Sequence, residues 1–243
     1  MQRGFLSEIF VSFQGEGLHV GRRQLFVRMG GCNIRCRYCD TPDSLERGKT
    51  FRVHGGGSSE EIANPVTSAQ LAELVAPFID AEPLDGVAFT GGEPLLQADF
   101  LVGFLEQTNL PHPRLLETNG MLPQRLEKLL PLVDVVSMDI KLPSNTGEPP
   151  FWEEHERFLS LARGKVYVKV LVDAGTATEE VQRAVELVAA TAPEAPVYLQ
   201  PIQQPDGRFD LRGERLDELF RRARATLADV RVVPQMHKVL AVP

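Results

Sequence analysis

Hydrophobic positions along the chain follow two alternating periods. Short runs rich in Val, Leu and Ile at 24–29, 86–90, 114–117, 133–138, 165–172, 196–199 and 230–233 read as strands, several of them continuous enough to be buried on both faces. Between them the apolar residues fall three and four apart. Thr67 and Gln70 form a capping box ahead of Leu71, Leu74, Val75 and Phe78; Val181, Ala184, Val185 and Val188 make a second stripe, and Leu216, Leu219, Phe220, Ala223 and Leu227 a third. Strands alternating with crossover helices imply parallel pairing of one hand, closing as an open doubly wound sheet or as a barrel. No linker or low-complexity break interrupts the pattern, so 1–243 reads as a single α/β domain. The exception is 41–64, with Gly48, Gly55-Gly56-Gly57 and Ser58-Ser59 and no helical stripe. Residues 43–64 are therefore expected to form a loop or insertion, of a length usually functional or mobile.

Composition narrows the class. The 243 residues, 43% hydrophobic and 24% charged, suit one globular domain with a full core. No apolar run reaches the roughly 18 residues of a membrane helix, and Arg3, Ser7 and Glu8 interrupt any signal-peptide core. The expectation is a cytoplasmic protein that does not enter the membrane. A net charge of −7 argues against a phosphate-neutralising face and hence against nucleic acid as a partner. Small-molecule chemistry is favoured.

In a parallel α/β fold, ligands bind at the carboxyl ends of the strands, where loops vary without disturbing the core. Polar, Gly-rich groups recur at that end: Gly30 to Thr41 after the first predicted strand, Gly91-Gly92-Glu93-Pro94 after the second, Thr118-Asn119-Gly120 after the third. Asp139 and Lys141 follow the fourth, Gln200 to Gln203 the sixth, and Gln235, His237 and Lys238 the last. Turn chemistry explains any one of these loops, but poorly explains all of them together.

The three cysteines, Cys32, Cys36 and Cys39, cannot pair off as a disulfide framework. With three and then two residues between them, they place three soft thiolates on one loop and leave one coordination position open. A closed zinc site wants a fourth Cys or His, and His19 and His54 stand in no finger-like spacing. The readings are an open iron–sulfur cluster, a zinc site, or inert thiols.

Cys32-x-x-x-Cys36-x-x-Cys39 with Tyr38 before the last cysteine, followed by Thr90-Gly91-Gly92-Glu93-Pro94, resembles the radical S-adenosylmethionine (SAM) superfamily. Within it, Phe13-Gln14-Gly15-Glu16-Gly17, Arg28, Cys39-Asp40-Thr41, Glu117 to Gly120 and the stretch from Gln235 to Pro243 resemble the 7-carboxy-7-deazaguanine synthases. The resemblance implies a partial (β/α) barrel of about six parallel strands and a homodimer. It also implies a [4Fe–4S] cluster on the three cysteines, SAM, Mg²⁺, and a protein reductant such as flavodoxin or ferredoxin. The implied reaction is that of a carbon–nitrogen lyase of 7-deazapurine (queuosine) biosynthesis: 6-carboxy-5,6,7,8-tetrahydropterin becomes 7-carboxy-7-deazaguanine, with loss of ammonia and regeneration of SAM.

Carried over residue by residue, the resemblance gives Mg²⁺ to the hard hydroxyl of Thr41. It gives SAM to Tyr38, Cys39, Asp40, Gly92, Glu93, Ser137, Lys141, Gln200 and Gln203. The substrate falls to Phe13, Gln14, Gly15, Glu16, Arg28, Thr90, His237 and the carboxylate of Pro243. Family members often have a compact Ser-Pro-Lys where this chain has Ser137-Met138-Asp139-Ile140-Lys141, so Asp139 is expected to share the role of Lys141. His112 and His155 are read as surface or packing residues. Two other activities share parts of these motifs: activation of a glycyl-radical protein, and non-catalytic metal binding by the cysteine loop.

Overall fold

The computed structural model describes residues 2–81, 83–111, 113–204 and 206–242. In chain order the strands and helices are β1 (Arg3–Gly4), β2 (Leu6–Phe13), β3 (Arg23–Met29), β4 (Thr50–Gly55), β5 (Ser58–Ala63), β6 (Val66–Thr67), α1 (Ser68–Ala81), β7 (Gly86–Gly91), α2 (Ala98–Leu105), β8 (Arg114–Thr118) and α3 (Pro123–Leu129). They continue as β9 (Val135–Asp139), α4 (Pro143–Thr146), α5 (Trp152–Ala162), β10 (Val166–Val172), α6 (Thr178–Thr191), β11 (Val197–Pro201), α7 (Gly213–Arg224), β12 (Val230–Val232) and α8 (Met236–Leu240).

One sheet runs in the order β12-β11-β10-β9-β8-β7-β3-β2-β4-β5. From β12 to β3 every neighbouring pair is parallel, giving seven parallel strands where about six were expected. All seven predicted runs are strands because their near-continuous apolar character suits a sheet covered by helices. The capping box forms as expected: Thr67 N donates to Gln70 Oε1 at 2.9 Å, and Gln70 N to Thr67 Oγ1 at 3.2 Å. It starts α1, which buries Leu71 and Val75.

Side chains alternate across each strand, so the two faces of the sheet have different fates. On β10, Val166, Val168, Val170 and Val172 join the helix-covered core, while Tyr167 joins a smaller cluster with Phe10, Phe26, Ala88, Leu115 and Tyr198 on the opposite face. Phe10 stacks on Phe26 at 5.0 Å between centroids, and Tyr167 meets Tyr198 edge-on. Phe10 of β2 and Leu171 of β10 line one cavity although five strand spacings separate their strands. A flat sheet would hold them roughly 24 Å apart. The sheet therefore curls around the cavity as an open barrel.

The expectation of a loop over 43–64 is corrected. Its centre is a hairpin in which β4 pairs in parallel with β2 and antiparallel with β5. The period-2 signal lay in Phe51, Val53 and Ile62, of which Phe51 is buried against the core. The glycines that suggested a loop supply the turn, with Gly56 and Gly57 at positive φ. β2 also carried no strand prediction; it runs antiparallel to β3 and brings the sheet round toward the cavity.

Candidate functional site

The cavity, about 510 Å³, lies at the carboxyl ends of the parallel strands. One step beyond the aromatic cluster on its inner face, each strand presents a polar residue: Glu8 from β2, Arg28 from β3, Thr90 from β7, Glu117 from β8, Asp139 from β9 and Lys169 from β10. Register places Arg28 beside Thr90 and Lys169 beside Asp139. Strand periodicity thus converts alternate inner-facing positions into a charged ring.

The cations of this ring are matched locally. Arg28 Nε donates to Glu8 Oε1 at 2.6 Å, and its guanidinium lies over the Phe10 ring. Lys141 Nζ contacts Asp139 Oδ2 at 2.8 Å and sits 5.4 Å from the Tyr38 ring centroid. Lys169, nearly buried, pairs with Glu16 and lies 3.2 Å from Asp139 Oδ1. Burial works against the charge of both lysines, yet the Asp139 carboxylate beside each holds its pKa well above the usual lysine value. Glu16 also accepts from Gln200 Nε2 and Gln235 Nε2. Burial would raise its carboxyl, but the Lys169 ammonium prevails and brings it down to about 2. Glu117 has a different environment: it accepts from the neutral donors Thr90 Oγ1 at 2.7 Å and Gln14 Nε2 at 2.8 Å.

The cysteine loop leaves β3 and is clamped from outside. Arg37 donates to the carbonyls of Ser144 and Asn145 beside α4, and Arg35 N to Glu148 Oε1. Cys32, Cys36 and Cys39 all open into the cavity without disulfides. Burial raises the Cys32 and Cys36 thiols, with the charge of Cys39 adding to both. The chain holds no fourth cysteine. The donor set fits a soft metal cluster that leaves one position for an exogenous ligand. Thr41 follows on the same wall beside Asp40, and its hydroxyl is a donor suited to a hard cation. Glu16, Asp40 and His237 bring one ligand atom each within 4.8 Å of one another, but the two carboxylates are already met by Lys169 and Lys238.

The glycines serve close approach. Gly91 ends β7 at φ +121°, and a Cβ there would stand 2.3 Å from the Met29 carbonyl oxygen. The neighbouring Gly92 N then donates to Met29 O and Glu93 N to Gly31 O, welding the second motif to the cysteine loop.

Residues 26–190 match the Radical SAM superfamily. The chain is 35% identical to the 7-carboxy-7-deazaguanine synthase of Geobacter sulfurreducens, over 97% of this chain and 96% of that protein. It is 37% identical to the protein of the same name from Archaeoglobus fulgidus, over 99% of each. The chain belongs to the 7-carboxy-7-deazaguanine synthase family of radical SAM proteins. The fold also resembles the crystal structure of QueE from Escherichia coli, with TM-score 0.56 and 18% identity over 96% of this chain and 94% of that one. A radical SAM methyltransferase from Sphaerobacter thermophilus is similar at TM-score 0.60 and 14% identity, over 88% and 66%.

For a member of this family, most of the expected site residues converge. Phe13, Gln14, Gly15, Glu16, Arg28, Tyr38, Asp40, Thr41, Thr90, Gly92, Lys141 and His237 all line the cavity with the cysteines. Glu93 does not: fully buried, it accepts from Leu95 N, Thr118 Oγ1 and Asn119 N, which ties the glycine turn to β8. Ser137 and Gln200 lie beneath the cavity floor, Gln200 acting on Glu16 rather than on a ligand. Gln203 Nε2 is bound to Gly207 O in its own turn. The Gln14 side chain is spent on Gln24, Glu117 and Glu16 N, so only its outline faces the cavity. His155 is a packing residue, buried and hydrogen-bonded at Nε2 to Asn119 O; burial lowers its pKa to about 4. Pro243 and His112 lie outside the described residues.

Sequence reading assigned no role to Glu8, Glu117, Lys169, Gln235 or Lys238. Lys169 was legible in principle, being a lone charge inside Val-Tyr-Val-Lys-Val-Leu-Val, a strand otherwise buried throughout.

Proposed function

We propose that this chain converts 6-carboxy-5,6,7,8-tetrahydropterin to 7-carboxy-7-deazaguanine with loss of ammonia, as a single radical SAM domain over 1–243. The observation that carries this reading is the meeting, in one cavity, of an open three-cysteine set with a ring of paired charges sized for a polar heterocycle. A bound [4Fe–4S] cluster with SAM supplies the one-electron chemistry that opens the C6–H bond.

Cys32, Cys36 and Cys39 would hold the iron, and Lys141, steadied over Tyr38 by Asp139, would meet the SAM carboxylate. Arg28 would bind the substrate carboxylate, its guanidinium donating to the carboxylate oxygens. With Glu8 holding Nε, its two terminal amino groups form the free end of the fork. Glu117, oriented by Thr90 and Gln14, presents carboxylate oxygens to the N–H edge of a guanine-like ring. Thr41 offers a hydroxyl oxygen for Mg²⁺ on the same wall.

The described residues include no helix long and apolar enough to cross a membrane. We place the enzyme in the cytoplasm as a homodimer reduced by flavodoxin or ferredoxin, in line with its family resemblance. The test is anaerobic reconstitution with iron and sulfide, followed by SAM, Mg²⁺, reductant and the carboxytetrahydropterin. Mass spectrometry is expected to find 7-carboxy-7-deazaguanine with the native chain and none with Cys36→Ala. Accumulation of 5′-deoxyadenosine without deazaguanine would instead favour activation of another substrate, such as a glycyl-radical protein.

A further inference from the structure

The C-terminal segment 234–242 crosses the mouth of the cavity, starting just after Val233, which packs against the aromatic cluster of the inner face. None of the side chains of α8 is buried, and Val239 and Leu240 are 53% and 55% exposed. What holds it is polar. Gln235, 4% exposed, donates from Nε2 to Glu16 Oε1 at 2.8 Å and to Asp40 Oδ2 at 2.8 Å, while its Oε1 accepts from Lys238 Nζ at 2.7 Å. Met236 N donates to Gly15 O at 2.9 Å. Gly15 lacks the Cβ that would stand 2.2 Å from His237 Nδ1, so the segment lies directly on the N-terminal loop.

We propose that Gln235 is a positioning residue that pins this segment shut over the bound pterin, so that the segment lifts to admit substrate and closes to retain it. A primary amide suits the task because its two N–H groups serve two carboxylates at once. Those carboxylates belong to different parts of the wall, Glu16 to the loop after β2 and Asp40 to the cysteine loop. One side chain therefore clasps the C-terminus to both halves of the cavity. Beyond Val233 the segment is held by hydrogen bonds, with no buried side chain in α8, and so opens locally at small cost, as a gate requires.

The inference rests on the pterin reading of the cavity and is tested by two measurements. Gln235→Met keeps the volume and removes every donor, while Lys169 and Lys238 remain to pair Glu16 and Asp40, so the variant is expected to fold and to load iron as the native chain does. Backbone hydrogen exchange of the reconstituted, substrate-free protein is expected to be faster over 236–242 in the variant. In turnover, the KM for the carboxytetrahydropterin is expected to rise on the order of tenfold to a hundredfold. More 5′-deoxyadenosine should escape per deazaguanine formed, and Gln235→Asn, which keeps one donor amide on a shorter arm, should fall between the two. Equal exchange overturns the pin, and so does faster exchange accompanied by native KM and native coupling. If the native enzyme makes no deazaguanine, the functional reading fails instead, and the exchange comparison still decides whether Gln235 holds the segment.

Discussion

Arg28 Nε and Glu8 Oε1 stand 2.6 Å apart on neighbouring strands, which leaves the terminal amino groups of the guanidinium toward the cavity. His54 of the hairpin reaches the other Glu8 oxygen at 3.4 Å. The pair fixes both the position and the roll of the fork. Arg28→Lys keeps the charge but cannot serve Glu8 and a substrate carboxylate in one plane. Its KM for the pterin is expected to rise on the order of tenfold to a hundredfold with little change in KM for SAM. Equal loss for both ligands in steady-state kinetics would remove Arg28 from carboxylate recognition.

Lys169 holds two carboxylates in a nearly dry site. Lys169→Met leaves Glu16 without its cation, while Asp139 keeps Lys141. A loss of about 3–5 kcal/mol is expected, because breaking a buried pair strands its charges. Urea unfolding measures this, and the double variant with Glu16→Gln should recover part of it.

Glu93 makes stability depend on pH in an unusual direction. Burial lifts its carboxyl from 4.5 to about 7, against the donors from Asn119, Leu95 and Thr118. A folded pKa above the unfolded one gives stability that is complete below pH 4.5 and is lost as pH rises through about 7. The native chain is expected to lose on the order of 3 kcal/mol across that window relative to Glu93→Gln. Urea midpoints of the two proteins, followed from pH 4 to pH 8, should diverge as pH increases; parallel curves would contradict the assignment.

The hairpin of β4 and β5 extends the sheet and is anchored by Phe51. Phe51→Ala is expected to cost about 3–5 kcal/mol. Removing Gly56 and Gly57 at the tip, where a Cβ would meet nothing within 4 Å, should leave turnover unchanged. A fall in turnover on shortening the tip would instead give the hairpin a part in catalysis.

Sequence pattern revealed the parallel strands because burial on both faces leaves almost no polar residue to obscure them. The cysteine loop was equally legible, since its chemistry depends on spacing within a single segment. The pairing partners were not. Gln235, Glu16 and Asp40 meet across separations of 219 and 195 residues, and no local period encodes a contact of that range. The surroundings of Glu93 were hidden for a related reason: two of the donors that meet its carboxylate, Thr118 Oγ1 and Asn119 N, lie about 25 residues away on β8 and its following turn. The hairpin was hidden because its exposed strands are polar and Gly-rich, with only Phe51, Val53 and Ile62 marking the buried side.

The ring contraction assigned to this cavity regenerates SAM. The most direct measurement supplies the reconstituted enzyme with excess carboxytetrahydropterin, Mg²⁺ and reductant but less than one equivalent of SAM per substrate, then counts product. More 7-carboxy-7-deazaguanine than SAM supplied is expected, with little 5′-deoxyadenosine. One 5′-deoxyadenosine for every SAM consumed and no deazaguanine would contradict it.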